Sequence, residues 1–172
     1  VVLSLGKFNS PIGWEGMDAP QMYQVSYAGV SNCLPGNLTG LSVDAQPTSE
    51  FSLSAFVANG WDVNRDNNRD KTVGGRLGYS RAEWLDLGMS VIHGPEQDDN
   101  VSSQRTVLDL DFTATPTASW MVGGEVQFGQ ESGMFENNGT ACWRGGLITN
   151  KITLSKATAI VFRYDYFDDV HG

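Results

Sequence analysis

Hydrophobic and polar residues alternate along most of the chain, which is the pattern of β-strands with one apolar and one polar face. Residues 84–92 read WLDLGMSVI and residues 105–114 read RTVLDLDFTA, and in both segments nearly every second residue is apolar. A convincing helical spacing of apolar residues is absent outside residues 14–30. The pattern predicts an all-β chain of about nine strands: 1–8, 38–45, 51–59, 73–80, 84–92, 105–114, 119–129, 141–153 and 159–168.

The connections between these strands alternate strictly between short and long. The short ones lie near 46–50, 80–83, 115–119 and 155–158, and the long ones are 60–72, 93–104 and about 130–141. In an up-and-down barrel every second connection lies on the same rim, and outer-membrane barrels have short periplasmic turns and long extracellular loops. The alternation therefore predicts an up-and-down antiparallel transmembrane β-barrel. An odd strand count and strand-like ends favour part of a larger barrel, because single-chain bacterial barrels normally have an even number of strands.

The segment between the first two strands falls on the long-loop side of this barrel. Residues 9–37 contain several prolines and glycines around an apolar and aromatic stretch at 22–30. We predict that residues 9–37 form a long extracellular loop or fold inward as a pore constriction. The chain shows no linker or change of composition, so residues 1–172 are predicted to form a single domain.

The chemistry of the two strand faces decides their environment. Unpaired charge in hydrocarbon costs several kcal/mol, so the apolar face is predicted to meet lipid and the polar face to line the pore. The alternative is that the polar side chains form cross-strand ion pairs and only stabilise the wall, and the two interpretations are compatible. The predicted pore-lining residues are Arg76, Asp86, Arg105, Asp109, Asp111, Glu125, Gln127, Arg144, Arg163 and Asp165.

Aromatic residues gather near the predicted strand ends, as in the interfacial girdles of membrane barrels. The alternative is core packing in a water-soluble β-sandwich, which periodicity alone does not separate from a barrel. The alternation of loop lengths favours the barrel. The candidate girdle residues are Trp61, Tyr79, Trp84, Trp120, Trp143, Tyr164, Tyr166 and Phe167.

Charge and candidate chemistry narrow the possible functions. Lys and Arg number 11 against 20 Asp and Glu, a net charge of -9 that disfavours a nucleic-acid partner. The only histidines, His93 and His171, have no metal or catalytic spacing. Residues 62–70 alternate Asp and Asn like a calcium loop but lack its glycine and terminal Glu. We therefore expect no enzyme activity, no metal and no cofactor, and the sequence leaves open whether Cys33 and Cys142 form a disulfide.

Six stretches resemble the OmpL-like, porin-2 type of β-barrel porins from Gram-negative bacteria. They are LGKFNSPIGWE (5–15), PGNLTGLSV (35–43), VANGWDVNRDNN (57–68), HGPE (93–96), WRGGL (143–147) and FRYDYFDD (162–169). Members of that family are longer barrels, so the resemblance implies that this chain corresponds to a portion of one. It also implies a porin-like role in the bacterial outer membrane and supplies no catalytic residues.

Together, pattern and resemblance predict a channel for passive diffusion of small hydrophilic solutes or ions, surrounded by outer-membrane lipid. The alternative is a non-porin barrel or soluble β-sandwich that serves as a surface binding module, with the loops at 60–72 and 93–104 as its contact surface. The sequence is compatible with a monomer or an oligomer.

Overall fold

Nine antiparallel strands form one sheet in which every strand pairs with its neighbours in the chain. The computed structural model describes residues 1–16, 22–135 and 139–170. The strands are β1 (Val2–Asn9), β2 (Asn37–Ala45), β3 (Phe51–Trp61), β4 (Thr72–Arg81), β5 (Leu85–Gly94), β6 (Arg105–Thr117), β7 (Trp120–Glu131), β8 (Ala141–Ser155) and β9 (Thr158–Asp169). The prediction of an all-β chain with up-and-down strands is confirmed.

The sheet is open in the structure, as in part of a barrel, because β1 and β9 are its two edge strands. The described residues form this one sheet, whereas a β-sandwich requires two packed sheets. Among these residues, no helix has the length and apolarity needed to cross a membrane. His171 and parts of the predicted loops 9–37 and 130–141 lie outside the described residues.

The two faces of the sheet differ in polarity because side chains alternate along each strand. On the outward face, Leu110 of β6 lies between Met89 of β5 and Val126 of β7. One residue further, Asp111 pairs with Glu125 on the inward face. The outward face therefore carries the apolar side chains of the predicted lipid surface, and the inward face carries most of the charge.

The described part of residues 10–36, here called the inner segment, packs against the inward face. Ile12 joins a buried cluster on the wall with Leu38, Phe56, Ile92 and Val107. A second buried cluster combines Ala28 and Val30 with Leu147 of β8. Fully burying each large aliphatic side chain contributes about 1.5–3 kcal/mol, so apolar contacts hold the inner segment against the wall.

A β-bulge at the end of β3 reverses the orientation of the last residue of that strand. Leu38 pairs with Trp61 and Gly40 pairs with Ala58, so β3 has one extra residue between these two pairs. Gly60 accommodates the bulge at φ 141°, a conformation that L side chains rarely adopt. As a result Trp61 packs against the inward cluster rather than outward in a girdle.

Candidate functional site

A buried carboxylate on β7 and a hydroxyl on β6 hold the inner segment against the wall. Glu125 accepts a hydrogen bond from the backbone N–H of Trp14 (2.5 Å) and another from the hydroxyl of Ser31 (3.1 Å). The indole N–H of Trp14 also donates to Oγ1 of Thr113 (2.8 Å). Because Trp14 and Ser31 lie near opposite ends of the inner segment, Glu125 fixes both ends against the wall.

A second anchor joins the inner segment to β9. Nη1 of Arg163 lies 2.8 Å from Oε1 of Glu15, and the two side chains are only 10% and 11% exposed. Arg163 also donates to the backbone carbonyl oxygens of Ser26 and Tyr27. Oε2 of Glu15 accepts from the backbone N–H of Ala28 (2.8 Å). The guanidinium of Arg163 therefore contacts the inner segment both at Glu15 and at residues 26–27.

The wall on the β4–β6 side of Glu125 is acidic and largely buried. Arg76 of β4 forms a bidentate ion pair with Asp111 of β6: Nη1 lies 2.5 Å from Oδ2 and Nη2 lies 2.8 Å from Oδ1. Asp109 is fully buried; no side chain among the described residues forms a hydrogen bond with its carboxylate, and the backbone N–H of Gly13 in the inner segment lies next to it. Burying a carboxylate is costly, and the nearby guanidinium of Arg76 and the backbone N–H of Gly13 offset part of that cost.

Another ion pair stands at the long-loop end of the inward face. Nε and Nη2 of Arg105 lie 2.8 and 2.6 Å from Oε2 of Glu131, and the guanidinium of Arg105 lies 4.7 Å from the ring centre of Trp61. Glu96 in the β5–β6 loop accepts hydrogen bonds from the backbone N–H of Trp61 (2.8 Å) and from Oγ1 of Thr72 (2.5 Å). Burial raises the pKa of Glu96 above its ordinary value.

Of the ten residues predicted to line the pore, Arg144 is placed differently from the others. It pairs with Phe128 on the outward face, and its Nε donates to Asp168 (3.0 Å). The physical reason is that β8 carries apolar residues on both faces, and Trp143, next to Arg144, is one of those that face inward. The other nine lie on the inward face: Arg76, Asp86, Arg105, Asp109, Asp111, Glu125, Gln127, Arg163 and Asp165.

Several of these nine make contacts within the site. Gln127 accepts from the indole N–H of Trp143 (3.1 Å), and Asp165 accepts from the backbone N–H of Gly29 (3.2 Å). Asp86 is exposed and accepts from the hydroxyl of Ser80. The structure thus brings the inner segment together with the predicted residues Glu125, Gln127, Arg163 and Asp165 of β7 and β9, whereas Asp86 of β5 lies apart.

The predicted aromatic girdle divides between the two faces. Tyr79 packs on Phe51 with ring centres 5.1 Å apart, and Trp120 donates to the side chain of Asn150 on the outward face. Trp84 is exposed at the same, short-turn end, and Tyr164 and Tyr166 are exposed on the outward face of β9. Trp61, Trp143 and Phe167 instead face inward.

Sequence reasoning missed the inner-segment residues Trp14, Glu15 and Ser31. The glycines on the predicted pore face were the available sign that another part of the chain packs there. A Cβ on Gly123 would lie 2.5 Å from the ring of Trp14, so that glycine leaves room for the ring. A bare backbone on an otherwise polar face indicates that another part of the chain packs there.

Neither the cysteines nor the acidic loop forms a metal or disulfide site in the described part of the chain. Cys33 and Cys142 are not joined by a disulfide. In the loop that resembled a calcium site, Asp66 pairs with Lys71, and Asp62 accepts from the backbone N–H groups of Gly36 and Asn37. Among the described residues, no group of three or more His, Cys, Asp and Glu could hold a metal ion.

Comparison with known proteins gives one match that covers the whole chain. No curated protein and no solved structure matches it. The family model described as "Putative beta-barrel porin-2, OmpL-like" matches residues 1–172. An open up-and-down sheet with an apolar outward face and a charged inward face agrees with that family. The chain therefore belongs to the OmpL-like family of β-barrel porins, porin-2.

Proposed function

We propose that this protein is an outer-membrane channel through which small hydrophilic solutes or ions diffuse passively. Membership of a β-barrel porin family supports a porin-like role. The apolar outward face suits lipid, and the charged inward face suits water and polar solutes.

The observation that carries the proposal is the way the inner segment is held across the charged wall. Two anchors, Glu125 on β7 and Arg163 on β9, fix it through hydrogen bonds and an ion pair. A segment fixed on the inward face reduces the cross-section that is open to solutes. Such a constriction limits passage by size and charge, as a passive channel requires.

Conductance in planar lipid bilayers tests the proposal directly. Purified full-length protein is expected to produce discrete, long-lived current steps in potassium chloride, and detergent without protein serves as the control. Swelling of proteoliposomes in isotonic solutions of increasing solute size should then show uptake that falls with size. Absence of any ion-permeable pore at high protein loading would overturn the proposal.

The proposed location is tested separately. After cell fractionation, the protein should be found in the outer-membrane fraction together with lipopolysaccharide. Recovery in the soluble fraction would contradict this part of the proposal.

A further inference from the structure

A cavity of about 480 Å³ opens at the long-loop end of the inward face, and we call it the mouth cavity. Its walls come from the ends of β3, β6, β7, β8 and β9 and from residues 32–34 of the inner segment. It lies beyond the anchors at Glu125 and Arg163. A solute that enters from the long-loop side therefore meets the mouth cavity before it reaches the anchors at Glu125 and Arg163.

Three aromatic rings face this cavity, although most of the inward face is polar. They belong to Trp61, Trp143 and Phe167. The bulge in β3 turns Trp61 inward, and Trp143 is held by its hydrogen bond to Gln127. The guanidinium of Arg105 lies over the Trp61 ring, so one cation–π contact in this cavity is made within the chain, and Trp143 and Phe167 are the other rings that a solute would meet.

The ionised groups of the mouth cavity are unbalanced toward negative charge. Its single basic residue among the described ones, Arg105, is paired with Glu131. Asp62 and Asp169 add two further carboxylates to the lining. These charges would repel an anion. An apolar solute would remove water from the carboxylates without offering them hydrogen bonds, which is energetically costly.

We propose that the mouth cavity is a binding site for small organic cations that carry a guanidinium or ammonium group. The carboxylates attract the charge, and the aromatic faces hold a weakly hydrated cation by cation–π contact. The inference rests on the proposed function for its role, because binding at the entrance would raise the local concentration of such solutes ahead of the anchors at Glu125 and Arg163.

The test compares two solutes of nearly equal shape and different charge. L-Arginine carries a guanidinium, and L-citrulline replaces it with a neutral urea group. Binding to the purified full-length protein in detergent micelles is measured by isothermal titration calorimetry and by tryptophan fluorescence, since Trp61 and Trp143 line the cavity. We expect arginine to bind at least about tenfold more tightly than citrulline at low salt, and to weaken as salt is raised.

Paired variants in β9 assign the binding to the cavity. Phe167→Leu and Asp169→Asn change cavity residues, whereas Phe162→Leu and Asp168→Asn make the same changes on the outward face of the same strand. Loss of one cation–π contact should weaken arginine binding about two- to fivefold in Phe167→Leu. Asp169→Asn should weaken arginine binding and leave citrulline unchanged, and both outward variants should bind as the wild type does.

The outcomes separate this inference from the channel proposal. Equal affinity for arginine and citrulline, tighter binding of a neutral sugar such as glucose than of arginine, or equal weakening by the inward and outward variants overturns the inference. Because these measurements need no current, they decide the inference even if the protein does not conduct. A conducting protein without arginine binding leaves the channel proposal intact.

Discussion

At the scale of single residues, the Arg163–Glu15 ion pair sets how firmly the inner segment is held. We expect Arg163→Gln to destabilise the protein by about 3–5 kcal/mol, because it leaves the carboxylate of Glu15 buried without its partner. If the inner segment narrows the pore, the same variant should also show larger or noisier current steps. Denaturant unfolding in micelles measures the first effect, and planar bilayers measure the second.

Arg144→Gln is the matched control for this prediction. Its ion pair with Asp168 lies on the outward face, and the Arg144 side chain is 60% exposed. Exposed pairs contribute about 0–1 kcal/mol, so this variant should unfold and conduct much as the wild type does. Equal losses of stability in the two variants would contradict the role given to Arg163.

Residue orientations were predictable where one face of a strand is clearly polar, and less so elsewhere. Asp109 and Asp111 alternate with Leu108 and Leu110, so their inward position follows from the sequence. Arg144 was misplaced because its neighbour Trp143 turns inward. Strand alternation indicates which residues share a face, but it does not identify that face when both sides carry apolar groups.

At the scale of elements, the outward face of the strands should tolerate charge far less than the inward face. Leu110→Arg places a cation near the middle of β6 on the apolar face and should cost about 2–4 kcal/mol in lipid. Ser54→Arg places the same cation on the inward face of β3, beside Asp44 and opposite Arg76, and should cost only about 1 kcal/mol or less. Unfolding of the protein refolded into lipid vesicles measures both, and a larger loss for Ser54→Arg would reverse the assignment of the faces.

The β5–β6 loop should respond to pH through Glu96, which joins it to Trp61 and Thr72. Burial raises the pKa of Glu96 above its ordinary value of 4.5, so the folded protein keeps this proton to a higher pH than the unfolded chain does. The stability that this group contributes is therefore complete below pH 4.5 and is lost as the pH rises through the raised pKa. Glu96→Gln removes this titratable group. The free energy of unfolding of the wild type should therefore fall relative to that of the variant as the pH rises from 4.5 through the raised pKa, and the difference should then stay constant.

Denaturant midpoints measured from pH 4 to pH 8 check this expectation. Glu83→Gln, in the exposed β4–β5 turn, is the control and should follow the wild type throughout. A wild type that gains stability relative to Glu96→Gln as the pH rises would show that the hydrogen bonds from Trp61 and Thr72 outweigh burial.

The strands themselves were predictable because a period of two and a strict alternation of loop lengths are local features of the sequence. The packing of the inner segment was not, since Trp14 and Glu125 are 111 positions apart in the chain and Glu15 and Arg163 are 148 apart. Their contacts depend on how the whole sheet places β7 and β9. The β3 bulge was also missed, because its only local sign is Gly60 beside Trp61.

At the scale of the whole molecule, the balance of charge on the inward face bears on which ions a channel would favour. The register places twice as many carboxylates as cations on the inward side of the strands. The carboxylates are Asp44, Asp86, Asp109, Asp111, Glu125, Glu131, Asp165 and Asp169, and the cations are Arg76, Arg105, Lys151 and Arg163. This excess agrees in sign with the net charge of -9 for the chain.

An acidic wall of this kind should make the channel select cations over anions. In a gradient of potassium chloride across a planar bilayer, the reversal potential should give a K⁺ to Cl⁻ permeability ratio above one. The ratio should fall toward that of free solution in about 1 M salt, where the screening length is only about 3 Å. Asp44→Asn combined with Asp86→Asn removes two carboxylates from the inward face and should lower the ratio at low salt, whereas Asp168→Asn on the outward face should not. A preference for chloride at low salt would mean that the ion pairs at Arg76, Arg105 and Arg163, rather than the excess carboxylates, set the potential along the pore.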